Sequence, residues 1–268
     1  MYAQAARAFE AALGDSQQLT VIPVSADQRE SEARLQAVLQ DPPRLVVAVG
    51  TRAAMAAKSK LRGVPILYCL ALDPGRNHLV GPEVGGVTLN VALSQQFATI
   101  GKFLPGIRRI GVVYNEPTSG GMVRSAEELL KGPVRLIARE AGTPQEAARQ
   151  IADLMDKVDA FWLIWDPVIA NPANFARLVD LSIRNKVALI APASPFVEAG
   201  AVMSVEPNYA VAGRRVAEMA RQVLDGKKAP GAFAAEPPSD LTLTINGAVA
   251  RKVGIPIPPD LTAEILSP

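Results

Sequence analysis

Apolar positions along this chain fall into short continuous runs, and helical spacing fills most of the intervals between them. The runs are LTVIPV (19–24), LVVAVG (45–50), VPILYCLAL (64–72), RIGVVYN (109–115), VRLIARE (134–140), AFWLIWD (160–166), VALIAPA (187–193), AVMSVEP (201–207) and LTLTIN (241–246). Short runs that are apolar on both faces predict strands of a parallel sheet covered on both sides. ESEARLQAVLQ (30–40), QEAARQIADLMDKV (145–158), ANFARLVDLSIRN (173–185) and YAVAGRRVAEMARQVLDG (209–226) carry apolar residues at amphipathic-helix spacing. Strand and helix alternating in this way predict an α/β, doubly wound protein.

The alternation is too long for one ordinary sheet. GVTLN (86–90) leads into the helical LSQQFATIGKFL, and the strand-helix pattern restarts at Arg109. The character changes again near Pro207 and at the proline-rich EPPSD (236–240). We therefore expect two doubly wound parallel-sheet lobes, 1–89 with 207–237 and 90–206 with 238–268. A ligand cleft is expected where the carboxyl ends of the strands face each other. The chain opens on the helical YAQAARAFEAALG with no strand ahead of it. A doubly wound lobe usually begins with a strand that lies centrally, and a vacant centre leaves backbone groups unpaired. The first strand of the first lobe is thus expected to be missing here, its place taken by upstream residues, another segment or another chain.

Composition narrows the function classes. The 268 residues are 49% hydrophobic and 20% charged, enough for a sizeable core. The formal net charge is only +2, and the basic runs Arg108-Arg109, Arg214-Arg215 and Lys227-Lys228 are mere pairs. Neither nucleic acid nor a charged membrane surface is expected as a partner. Cys69 is the single cysteine, which excludes an internal disulfide, and its apolar surroundings read as a buried thiol rather than a nucleophile. His78, the one histidine, lies in the polar loop DPGRNHLVGP, so no metal site is expected and no cofactor either. No run reaches membrane-spanning length, and no basic-then-apolar leader precedes Tyr2, so the compartment is not read directly from the chain.

Candidate chemistry collects at the carboxyl ends of the predicted strands. Gly50-Thr51 opens a helix whose first-turn N–H groups and hydroxyl form either an anion seat or a plain cap. YNEPTSGGMVRSAEELL offers Asn115, Thr118 and Ser119 beside Gly120 and Gly121, but no lysine follows in the manner of a phosphate loop. Asp73, Thr88, Ser194 and Ser204 to Glu206 end other strands. Side-chain alternation puts Phe161, Leu163 and Trp165 on one face and Trp162 and Ile164 on the other, so helices are expected to cover both tryptophans. Asp166 has two readings: a carboxylate held for a ligand, or an N-cap with proline at the first helical position. G-x-S-x-G, H-E-x-x-H and G-x-G-x-x-G are all missing from the sequence, and Glu83 and Asp73 have no spacing that pairs them, so no enzyme is expected.

AVGTRAAMAA, VPILYCLALDP, FLPGIRRIGVVYN, VDAFWLIWD, GAVMSVEPNYAVAGRRVAEMARQVLDGKKA and LTLTINGAVARKVGIPIPPDL follow one another in order along nearly the whole chain. Together they resemble the substrate-binding proteins of ABC importers, similar to the tryptophan/tyrosine-binding type. The last block, Ile245-Asn246 with Ala250 and GIPIP, is the most telling. The resemblance implies a type I periplasmic-binding fold whose two lobes close on a small molecule and deliver it to a membrane permease. It also implies an exported, often lipid-anchored, periplasmic or extracytoplasmic protein that works as a monomer, with association if another chain replaces the first strand. For an amino-acid ligand, Thr51 and Ser119 would hold the carboxylate and Asp166 the ammonium, with Tyr68, Tyr114 and Phe196 as walls. Asp73, Thr88, Asn115 and Ser194 complete the expected ligand-facing set. Two stretches depart from the family's habit: VGGVTLNVA stands where Asn-x-Thr-Gly is usual, and EPTSGG where Asn-Ser is usual. A ligand-sensing regulator of the same fold is the alternative reading, and the sequence upstream of Met1 would separate the two.

Overall fold

The computed structural model describes residues 2–14, 17–25, 28–258 and 262–266. Chain order begins with α1 (Tyr2–Leu13), α2 (Gln28–Val38), β1 (Val46–Val49), α3 (Thr51–Lys60), β2 (Ile66–Ala71) and β3 (Val84–Thr88). Next come α4 (Leu93–Phe103), β4 (Arg109–Tyr114), α5 (Glu116–Leu129), β5 (Arg135–Glu140), α6 (Pro144–Leu154) and β6 (Ala160–Trp162). They are followed by α7 (Pro172–Asn185), β7 (Ala188–Ala191), α8 (Ser194–Glu198) and β8 (Met203–Pro207). The chain ends with α9 (Tyr209–Leu224), a 3₁₀ turn at Pro230–Ala232, β9 (Leu241–Asn246), α10 (Gly247–Val253) and β10 (Glu264–Leu266). Two compact units result, Met1–Val91 with Pro207–Leu241 and Ala92–Glu206 with Thr242–Pro268. Among the described residues, no helix is long and apolar enough to cross a membrane.

The first unit is built on a three-stranded parallel sheet, ordered β1-β2-β3. Alternation along β2 separates its two cores. Leu67 and Cys69 pack with Phe9 of α1 and Val216 of α9, whereas Ile66 and Tyr68 pack with Leu35 of α2 and with Ala54 and Ala57 of α3. The register slips after Cys69, where Leu70 has φ +63°, so Leu70 joins Cys69 on the α1–α9 side. Two glycines permit close approach. A Cβ on Gly213 of α9 would lie 2.2 Å from the Ala5 carbonyl oxygen of α1, and one on Gly86 (φ +143°) would lie 2.0 Å from the Tyr68 carbonyl oxygen.

The strand expected at 19–24 does not form. These residues run as irregular backbone, with Leu19 and Val21 exposed. The reason lies at β1, beside which no described strand pairs on the edge away from β2. Val46 N–H donates to the Pro65 carbonyl and Gly50 N–H to the Cys69 carbonyl, so the peptide groups of Val47 and Val49 face that open edge. Residues 19–24 do not pair with that edge, so their backbone makes no ladder. Among the described residues, β1 is thus an edge strand of this sheet.

In the second unit, seven strands lie in the order β10-β9-β8-β7-β6-β4-β5, and the ladders between paired strands are parallel. Phe161, Leu163 and Leu189 pack with Ile151 and Leu154 of α6 and Leu178 of α7. On the other face, the Trp162 ring meets Phe97 of α4 edge-on, centroids 5.0 Å apart. The strand expected over 160–166 ends early, at Trp162, and Leu163 N–H still reaches the Ile190 carbonyl before the chain turns. β10 was not expected, because three residues of modest hydropathy give no periodic signal.

Candidate functional site

In parallel sheets, ligands are taken beyond the carboxyl ends of the strands. Each unit carries its own polar cluster there. In the first, Asp73 follows β2 with φ +42°, a left-handed backbone that few side chains adopt. Its N–H donates to Asn90 Oδ1 at 2.8 Å, and Asn90 Nδ2 donates back to Asp73 Oδ1 at 2.6 Å. Thr88, buried at the end of β3, joins them: its hydroxyl donates to Asn90 Oδ1 at 3.0 Å and accepts from Asn90 N–H at 2.6 Å. Thr51 sits one residue inside α3, behind Gly50 as N-cap, and its Oγ1 accepts from Leu72 N–H at 2.8 Å. The hydroxyl thus ties the end of β2 to the start of α3, while the helix's first-turn N–H groups keep their outward aim.

The second unit's cluster centres on Asp166, which is 1% exposed. Asp166 Oδ2 accepts from Asn115 N–H at 2.9 Å and from the Ser119 hydroxyl at 2.8 Å, while Oδ1 accepts from Val168 N–H at 3.0 Å. The helix that follows Asp166 in sequence is capped by Asn171, whose side chain accepts from Asn174 N–H. The N-cap reading of Asp166 therefore needs correcting in one respect: it does not cap its own downstream helix. Its carboxylate lies at the start of α5, where the N–H end of the helix favours negative charge. Asn115 stays in place through Nδ2 to the Ala141 carbonyl at 3.2 Å and Oδ1 from the Thr118 hydroxyl at 3.0 Å.

Beside this cluster, Ser194 N–H at the start of α8 donates to Oε1 of Glu206 at 3.0 Å, a glutamate that is buried at the end of β8. Tyr114 ends β4 half-buried, and its phenol is pushed above its ordinary value by burial and then by the negative charges of Glu116, Glu140 and Glu127. Tyr68 does not join the strand-end groups. It points into the core under α3, 1% exposed, with its phenol pushed up to about 12 by burial. Cys69 next to it is likewise buried, and its thiol is pushed up to about 12. His78 is exposed in the loop after β2.

Trp165 corrects the expectation that helices cover both tryptophans. It is 38% exposed, because β6 has already ended and strand alternation no longer governs where the side chain goes. Its indole meets the Phe196 ring edge-on at 5.6 Å, and Phe196 meets Phe175 edge-on at 5.0 Å. Sequence reasoning missed Trp165 as a site residue, and it marked Asn90 and Glu206 as polar strand ends without placing them in the ligand-facing set.

Comparison with known proteins agrees with this architecture. A tyrosine-binding protein of Clostridioides difficile (strain R20291) is 26% identical over 198 residues, covering 70% of this chain and 57% of that protein. The chain thus spans little more than half the length of this curated relative. A ligand-free, open structure of a substrate-binding protein with adhesive properties from Clostridium difficile superposes with TM-score 0.83 at 22% identity, covering 99% of this chain and 94% of that one. An ABC domain in complex with L-Trp from Streptococcus pneumonia superposes with TM-score 0.71 at 23% identity, covering 99% and 95%. Both likenesses speak for the fold, a type I periplasmic-binding architecture. The family described as ABC transporter substrate binding protein matches residues 13–266, nearly the whole chain, and the protein belongs to it.

Proposed function

We propose that this protein is the solute-binding component of an ABC importer, an extracytoplasmic, lipid-anchored carrier that delivers a small molecule, an amino acid, to a membrane permease without transforming it. The observation that carries the reading is the pair of strand-end clusters, Asp73–Thr88–Asn90 in the first unit and Asn115–Ser119–Asp166 in the second, on a chain of this family. The relative named for tyrosine and the structural neighbour holding L-Trp support an aromatic amino acid as the solute. The open first turn of α3 at Thr51 suits a carboxylate, and Asp73 after β2 suits an ammonium.

In the second unit, Ser119 and Asp166 already satisfy each other, so they serve the ligand by holding the α5 start and the 166–170 turn in place. Direct contacts fall instead to Thr51, Asp73, Tyr114, Ser194 and Phe196. Thermal-shift measurement over the amino acids tests the reading, because a solute bound only by the folded state raises its melting temperature. A rise with L-tyrosine, L-tryptophan or L-phenylalanine is expected. No rise with any amino acid, confirmed by calorimetry, would overturn it.

A further inference from the structure

We infer that the exposed indole of Trp165 is the surface on which the second unit seats a flat, unsaturated ring of its solute. The inference rests on the proposed reading of an aromatic amino-acid carrier and adds the residue against which the ring is seated.

Trp165 differs from a scattered surface hydrophobe in three ways. Its position is the first: it stands at the carboxyl end of a central strand run, where parallel sheets take their ligands. Its backbone is the second. Ile164 and Asp166, the residues on either side, are 3% and 1% exposed. Asp166 N–H bonds back to the Ile164 carbonyl at 2.8 Å, and the Asp166 carboxylate is fixed by three donors. The third is the support behind the ring. Phe196 meets the indole edge-on at 5.6 Å with Phe175 behind it, so the indole is braced while more than a third of the residue stays open. A large apolar ring held in place yet left wet forgoes burial that covering by a ligand recovers. A second aromatic ring set offset or edge-on against the indole gains a pairing beyond the area that it buries. The chemistry that fits is an aromatic amino acid, and Trp165 is its specificity-determining contact.

The two tryptophans allow a direct test. Trp162 is 2% exposed and Trp165 38% exposed, so acrylamide quenching of tryptophan fluorescence reports on Trp165. Saturating L-phenylalanine, which does not emit with tryptophan, is expected to shield the quenchable component, and Trp165→Phe is expected to remove that component. By calorimetry, Trp165→Ala should weaken L-phenylalanine roughly fivefold to tenfold, the worth of one aromatic pair, with Trp165→Phe restoring most of the affinity. If the wild type binds L-phenylalanine but neither shielding nor the Trp165→Ala loss occurs, Trp165 is not the platform and solute binding stands. If only L-leucine or L-alanine binds, the aromatic class is overturned and the carrier reading survives. Binding of no amino acid at all would overturn both.

Discussion

Ser119 and Asp166 are joined by a 2.8 Å hydrogen bond, hydroxyl to Oδ2, although 47 residues separate them. The bond links the start of α5 to the turn after β6 and places a buried carboxylate at a helix N-terminus. Removing that carboxylate strands the Asn115 and Val168 N–H groups and the Ser119 hydroxyl in a buried site. Asp166→Ala is expected to cost about 2–3 kcal/mol in stability, combining a lost helix cap with unsatisfied donors. Urea unfolding checks it: the midpoint should fall with the slope nearly unchanged. A variant as stable as the wild type would show that water replaces the carboxylate at no cost.

Tyr68 and Cys69 make a second prediction. Burial pushes both up to about 12, the phenol from near 10 and the thiol from near 9. Each group is held neutral in the folded state, so its contribution is fully present below the unfolded value and is lost as pH rises toward the folded one. Stability is therefore expected to fall steadily between about pH 9 and pH 12. Tyr68→Phe and Cys69→Ala should each flatten that alkaline limb. The same burial makes Cys69 inert to thiol reagents in the native protein, with labelling only after unfolding.

How far the sequence foretold these relationships depends on the range of the interaction. β2 was legible because its residues, apolar on both faces, need only the local alternation of Ile66, Leu67, Tyr68 and Cys69 to choose their cores. Trp165 was not, because its direction depends on where the ladder from β6 to β7 stops, a property of two strands together. Leu19 to Val24 read as a strand for the same local reason, but no described strand pairs with it, and pairing is not a local property. Asp166 was picked out by its place at a strand end, but its partners Asn115 and Ser119 lie on another element, and no spacing rule connects them. Polar clusters at strand ends are thus foreseeable as a class, whereas their internal pairings are set by packing.

Asp159 supplies an acid-side prediction. Partial burial pushes its carboxyl up, but hydrogen bonds from the Arg109 side chain and from the Arg108 and Arg109 N–H groups outweigh that and hold it below the usual value. A depressed carboxylate contributes stability above its unfolded value, near 3.8, and loses it as pH falls through the folded one. Asp159→Asn should therefore lower stability at neutral pH while making the acid limb below about pH 4 shallower. Acid titration of the two proteins by circular dichroism checks this. Parallel acid limbs would mean that the Arg109 pair is screened by solvent, as expected for a bridge whose arginine side chain is 51% exposed.

Gly213 tests the packing of α1 on α9, the contact that closes one face of the first unit's sheet. A methyl group there would come within 2.2 Å of the Ala5 carbonyl oxygen and 3.1 Å of the Phe9 nitrogen, both backbone atoms that cannot swing aside. Two opposing effects meet in Gly213→Ala. Alanine favours the helix by roughly 1 kcal/mol over glycine, while forcing the helices apart costs about 1–3 kcal/mol and loosens Phe9, Leu67 and Val216 together. The clash should win, because a separation of α1 from α9 is shared by every residue in that core. The variant is expected to melt several degrees lower, and its Cys69 thiol, which lies in the same core, should become reactive at lower urea. A higher melting temperature would show that α1 shifts freely along α9, making the glycine dispensable for packing.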